Sequence, residues 1–196
     1  MSTSTNLSAA VTEARSRYDR GDLDGARSLL TQSLELATPM LGTADRDVLQ
    51  TSRLLAALHR ESGDVPGARR ILEEAQANGQ RQWPDEDPLM LLLAFDLGVV
   101  ADEFGNRHEA RRNLGLVARV GPGVFGPSHA VVLLAASYLD PESTQTIPKI
   151  QDSEPRPPYP PVNHRAPAGR GTRWIVLIIV AALLAAAATT AVIILR

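Results

Sequence analysis

Four histidines, His59, His108, His129 and His164, have the widest chemical reach in this 196-residue chain. An imidazole can bind a metal or carry a proton near neutral pH. A zinc site needs several ligands at short, defined spacings, and none of the four histidines stands near a second ligand at such a spacing. Cysteine is absent, which removes thiolate sites and disulfides. Gly121-Pro122-Gly123 is followed by Val124 and Phe125, without the Lys and Ser/Thr of a phosphate-binding loop. No nucleophile elbow and no dinucleotide-binding turn is present. The acidic run Asp85-Glu86-Asp87 falls in a connector, where solvation and capping account for it. The expectation is a chain with no catalytic residues, no cofactor and no metal site.

Charge narrows the field further. The formal net charge is −2. Residues 1–139 carry 14 Arg and 18 Asp+Glu, hence −4, and residues 140–196 carry 5 Arg, 1 Lys and 4 Asp+Glu, hence +2. Nucleic-acid binding needs clustered cations against phosphate, so no nucleic-acid partner is expected. Phe, Trp and Tyr are scarce while Ala and Leu abound, which favours close-packed helices.

What must position the side chains is a repeat. Gly21-Asp22, Gly63-Asp64 and Gly105-Asn106 open one phrase three times, 42 residues apart. The glycine suits the left-handed position after a helix. The Asp or Asn can cap the next helix. Ala26, Ala68 and Ala110 follow at one register, and Leu30, Leu72 and Leu114 lie one turn later. Ala14, Ala56 and Gly98 form a small-residue position, while Leu49, Leu91, Leu133 and Leu55, Leu97, Leu139 form two more. Asp45 and Asp87 are expected caps, with Ser128 for the last copy, one residue out of step. A fixed period of this size signals stacked helix pairs.

This pattern resembles the tetratricopeptide repeat in its 42-residue, kinesin-light-chain-like form, over roughly residues 7–139. It departs at Glu13, where an apolar residue is usual, and at Arg17, His59 and Ala101, which replace a common aromatic. The resemblance implies an all-α, right-handed superhelical stack of about three and a half repeats. It also implies a concave groove that binds a protein or peptide. Carried across by register, the groove residues include Arg15, Tyr18, Arg53, Arg60, Leu92, Phe95, Val99 and Asp102. Arg15, Arg53 and Arg60 are expected to hold a carboxylate, and Leu92, Phe95 and Val99 an apolar anchor. A stack this short also makes pairing through an exposed end an expectation, either with itself as a homo-oligomer or with a larger assembly.

The remaining segments read differently. Residues 1–6 are expected to be disordered. Residues 140–173 hold eight of the 14 prolines and read as a disordered, proline-rich linker. Trp174 to Leu195 is 22 residues without a charge. As a helix it is about 33 Å long, enough for a bilayer core of about 30 Å. Arg156, Arg165, Arg170 and Arg173 precede it and Arg196 follows it, which predicts a single-pass, tail-anchored protein of the cell membrane. Its N-terminal domain is expected in the cytoplasm and its C-terminus outside. The functional expectation is a membrane-tethered interaction module that recruits a partner. The rivals are a trans-acting regulatory subunit of a signalling ATPase or transcription factor, and an assembly factor of an envelope or secretion complex.

Overall fold

Asp22, Asp64 and Asn106 each cap a helix, as the repeated phrase predicts. Their side-chain oxygens accept from the backbone N–H of Gly25, Gly67 and Glu109 at 2.9, 2.9 and 3.2 Å. The preceding Gly21, Gly63 and Gly105 have φ of +83°, +82° and +74°, a conformation that glycine reaches without a Cβ penalty. The computed structural model describes residues 3–139. In chain order the helices are α1 (Thr3–Asp19), α2 (Leu23–Leu41), α3 (Arg46–Glu61), α4 (Val65–Gly79), α5 (Pro88–Glu103), α6 (Arg107–Phe125) and α7 (Ala130–Leu139). No strand occurs among the described residues.

The helices pair as hairpins, α1 with α2, α3 with α4 and α5 with α6, and α7 opens a fourth unit. Successive odd-numbered helices touch one another, and each even helix packs on the odd helix that follows it. Two layers result, with the odd helices forming the closer one.

The repeated positions form the core. Ala26, Ala68 and Ala110 are 0, 0 and 3 % exposed, and Leu30, Leu72 and Leu114 are 0, 2 and 1 %. A buried leucine contributes about 1.5–3 kcal/mol, so this register alone is a large share of the stability. Ala14, Ala26, Leu30, Leu54, Leu55 and Leu58 form one cluster, flanked by Val11 and Tyr18. Leu49, Ala56, Ala68, Leu72, Leu93 and Leu97 belong to the next. The Gly98 position shows why the small register tightens in the third repeat. A Cβ there would stand 2.7 Å from Leu114 Cγ.

Two sequence expectations meet a different outcome. Helix α1 begins at Thr3, inside the segment expected to be disordered. Ser4 Oγ donates to the Asp47 carboxylate and Thr3 Oγ1 to Met40 Sδ, so both are tied to later helices. At the start of α7 it is His129, in step with Asp45 and Asp87, whose Nδ1 accepts from Val131 N–H at 3.3 Å, and not Ser128. The departures at Glu13 and His59 have local partners. Glu13 pairs with Arg17 at 3.1 Å and Arg20 at 3.4 Å, and His59 Nδ1 lies 2.7 Å from Asp64 Oδ2.

The proline-rich linker and the membrane helix expected at 140–195 lie outside the described residues. Within 3–139, no helix is long and apolar enough to cross a membrane.

Candidate binding groove

The face shared by α1, α3, α5 and α7 carries the residues that the repeat register assigned to a groove. Four of the eight remain accessible there. Arg15 is half-buried and has no ion pair among the described residues. Tyr18 and Leu92 are half-buried and Asp102 is exposed. Gln50 is exposed on the same face and Glu61 is half-buried.

The other four are withdrawn into the fold. Arg53 Nε donates to Asp96 Oδ2 at 2.7 Å, with side chains only 4 and 13 % exposed. Arg60 Nε donates to Glu103 Oε1 at 2.7 Å, with side chains 7 and 31 % exposed. Their guanidiniums therefore already have carboxylates, supplied by α5 across the repeat junction. Phe95 and Val99 are 2 and 1 % exposed and fill the interior of α5's contacts. The expected basic, apolar-anchored groove is thus corrected at these four positions. The physical reason is that α5 is buried nearly all round, so its apolar residues serve the stack.

The electrostatics of the face reverse as a result. With Arg53 and Arg60 neutralised, Arg15, Asp19, Glu61 and Asp102 keep their charges, and none of them forms an ion pair among the described residues. Tyr138 of α7 lies within the field of Arg60, Asp102 and Glu103. Burial pushes its phenol above the usual range, Arg60 opposes this, and the two carboxylates add to it. The α3–α5–α7 end of the face is therefore acidic and carries a neutral phenol at ordinary pH.

The ion pairs escaped the reading of the sequence, yet they leave a signal in it. Arg53 and Asp96 are 43 residues apart, and so are Arg60 and Glu103. That is the repeat period plus one. Arg46–Asp87 and Arg69–Glu109 add links 41 and 40 residues apart, the second at 2.8 Å. Opposite charges near one period apart mark a junction between stacked hairpins. Arg46 also lies over the Trp83 ring at 4.1 Å, while Trp83 Nε1 donates to Ala44 O at 2.8 Å. These contacts fasten the two connectors together.

Among the described residues, no group of His, Asp and Glu is arranged to hold a metal ion.

No family model matches the chain, and no curated protein matches it. Solved structures do. One is from Podosopora anserina and is described as a putative kinesin light chain with nearly identical TPR-like repeats. It shares 22% identity at a TM-score of 0.64, over 71% of this chain and 66% of that one. A single-substitution variant of the same protein gives 22% identity and a TM-score of 0.65 over the same shares. This chain thus spans about two thirds of the length of those structures. At this identity the likeness shows the fold: residues 3–139 build an all-helical, tetratricopeptide-like repeat.

Proposed function

We propose that the chain is a protein-interaction module, held at the cytosolic face of a membrane by residues 174–195, and that its groove recruits a partner there. The observation that carries the binding reading is the open face of α1, α3, α5 and α7. It exposes Asp102 and Gln50 and half-exposes Arg15, Tyr18, Leu92 and Glu61, while the stack beneath is closed and well packed. A helical-repeat fold of this kind supports recognition by an extended surface rather than catalysis. The membrane part of the reading rests on the uncharged stretch from Trp174 to Leu195 and the arginines before it. Confinement to a bilayer raises the effective concentration of any partner held there.

The free charges of the face define the partner's chemistry. A segment with a Lys or Arg near Asp102 and Glu61 and an acceptor near Arg15 matches them. The test is co-purification of the full chain from detergent-solubilised membranes, comparing wild type with the Arg15→Glu/Asp102→Arg variant. Partners are expected to be lost while the helical circular dichroism stays unchanged. An identical partner set on the folded variant would contradict the groove reading. Strand-rich dichroism or release of the chain from membranes by alkali would contradict the framework.

A further inference from the structure

Helix α6 carries a concentration of uncompensated positive charge. Arg107, His108, Arg111, Arg112 and Arg119 are all exposed, and none forms an ion pair among the described residues. The contrast with the register-mates of Arg111 is direct. Arg27 lies 3.7 Å from Asp24 and donates to Ser62 at 2.7 Å. Arg69 binds Glu73 at 2.7 Å and Glu109 at 2.8 Å. Arg111 has no such acceptor among the described residues. The one carboxylate of α6, Glu109, is turned to Arg69 and to Asn106. With four arginines and one glutamate, α6 carries +3, against −4 for residues 1–139 as a whole, so the rest of that stretch carries −7.

The placement is also electrostatically awkward within the helix. Arg107 and His108 are the first two residues of α6, at the positive end of its dipole. Cations there oppose the macrodipole, whereas an anion would be favoured. Arg107, His108, Arg111 and Arg112 line one surface cleft, and no other element among the described residues contributes to it. The site is a charged face of one helix, without walls to enclose a peptide.

We propose that this face of α6 docks on an anionic lipid surface. The proposal rests on the membrane reading above. An array of guanidiniums with no surrounding wall suits a plane of phosphates, where each arginine near the surface adds about fivefold to the partition, or about a hundredfold for three. Helix α6 belongs to the even-numbered layer, opposite the face shared by α1, α3, α5 and α7. Docking would therefore turn the groove toward the cytosol.

The chain has no cysteine, so single reporters can be placed cleanly. A Gly115→Cys reporter sits one turn beyond Arg111, and its Cβ meets nothing within 4 Å. Gln50→Cys, exposed on α3 in the opposite layer, serves as the reference position. Each full-length chain, carrying a fluorophore, is reconstituted into vesicles of phosphatidylcholine alone or of an equimolar mixture with phosphatidylglycerol. Both contain a headgroup spin-labelled lipid as quencher. The proposal expects stronger quenching at position 115 in the anionic vesicles, little difference at position 50, and reversal by salt. In the Arg107→Gln/Arg111→Gln/Arg112→Gln background the docked-to-free ratio should fall about a hundredfold. Equal quenching at position 115 in both lipids overturns the proposal, as does an unaltered response in the triple variant. A soluble polyglutamate peptide forms the third arm: capture of it by α6 with no lipid response would assign the face to an acidic protein and overturn lipid docking. Alkali extraction of the same vesicles reads the membrane segment separately, so its failure is distinguishable from failure of the α6 face.

Discussion

Asp96→Ala is the substitution that the structure judges most severely for its size. Arg53 is 4 % exposed in its side chain and its Nε is held by Asp96 Oδ2 at 2.7 Å. Removing the carboxylate leaves a buried guanidinium without a counter-charge, which costs about 3–5 kcal/mol. That is a large part of the about 5–15 kcal/mol that holds a domain together. The pair itself is replaceable. One repeat earlier, the positions of Arg53 and Asp96 are Val11 and Leu54, which belong to one apolar cluster at the α1–α3 junction. Copying that junction with Arg53→Val/Asp96→Leu should leave stability within about 1 kcal/mol of wild type or raise it. The assay is urea unfolding followed by far-ultraviolet circular dichroism, with all three chains compared at the same probe and temperature. A loss below about 1 kcal/mol for Asp96→Ala would refute the reasoning. So would a double variant as unstable as the single one. The same logic makes Arg53→Glu/Arg60→Glu a folding defect, since it sets Glu against Asp96 and Glu103.

Three further outcomes follow from particular contacts. Gly98→Ala brings a Cβ within 2.7 Å of Leu114 Cγ and 3.2 Å of Asn113 Cβ, so it should destabilise by about 1–2 kcal/mol in urea despite the better helix propensity of alanine. Asn113→Leu should stabilise by about 1–3 kcal/mol, because Asn113 is 4 % exposed, its Nδ2 has no partner among the described residues, and its register-mates are Leu29 and Ile71. A lower melting temperature for that variant would show that the amide has a partner in solution. The Asp64 carboxyl is held below its ordinary value of 3.8, chiefly by the hydrogen bond with His59 and then by the Gly67 N–H. Its contribution to stability is therefore present above about 3.8 and is lost as pH falls through the lower folded-state value. Asp64→Asn should flatten the acid limb of the melting-temperature profile in that window, and an unchanged limb would remove Asp64 from the account.

The fold was legible because its signals are local and repeated. Gly21, Gly63 and Gly105 can occupy their positive φ without strain, and the Asp or Asn after each caps a helix within three residues. Ala26, Ala68 and Ala110 record the close approach of paired helices. The accessible face of the odd-numbered helices was legible only in outline. Register placed Arg15, Leu92 and Asp102 on the open face, but it could not tell a solvated arginine from one neutralised across a junction. Arg53 and Arg60 were misjudged because their partners, Asp96 and Glu103, are remote in sequence. Phe95 and Val99 were misjudged because an apolar residue has one letter whether it anchors a ligand or a neighbouring helix. Leu133 shows the converse. It shares the register of Leu49 and Leu91, which are 1 and 0 % exposed, yet it is 56 % exposed because no partner helix follows α7 among the described residues.

Which face of the stack meets another protein decides the matter. A photo-crosslinking amino acid placed at Gln50 or Asp102, on the open face, and at Thr31 or Glu74, on α2 and α4, can be activated in intact membranes. Adducts to a common protein from positions 50 and 102, with none from 31 and 74, are the predicted result. Adducts confined to 31 and 74 would place recognition on the opposite layer and contradict the groove.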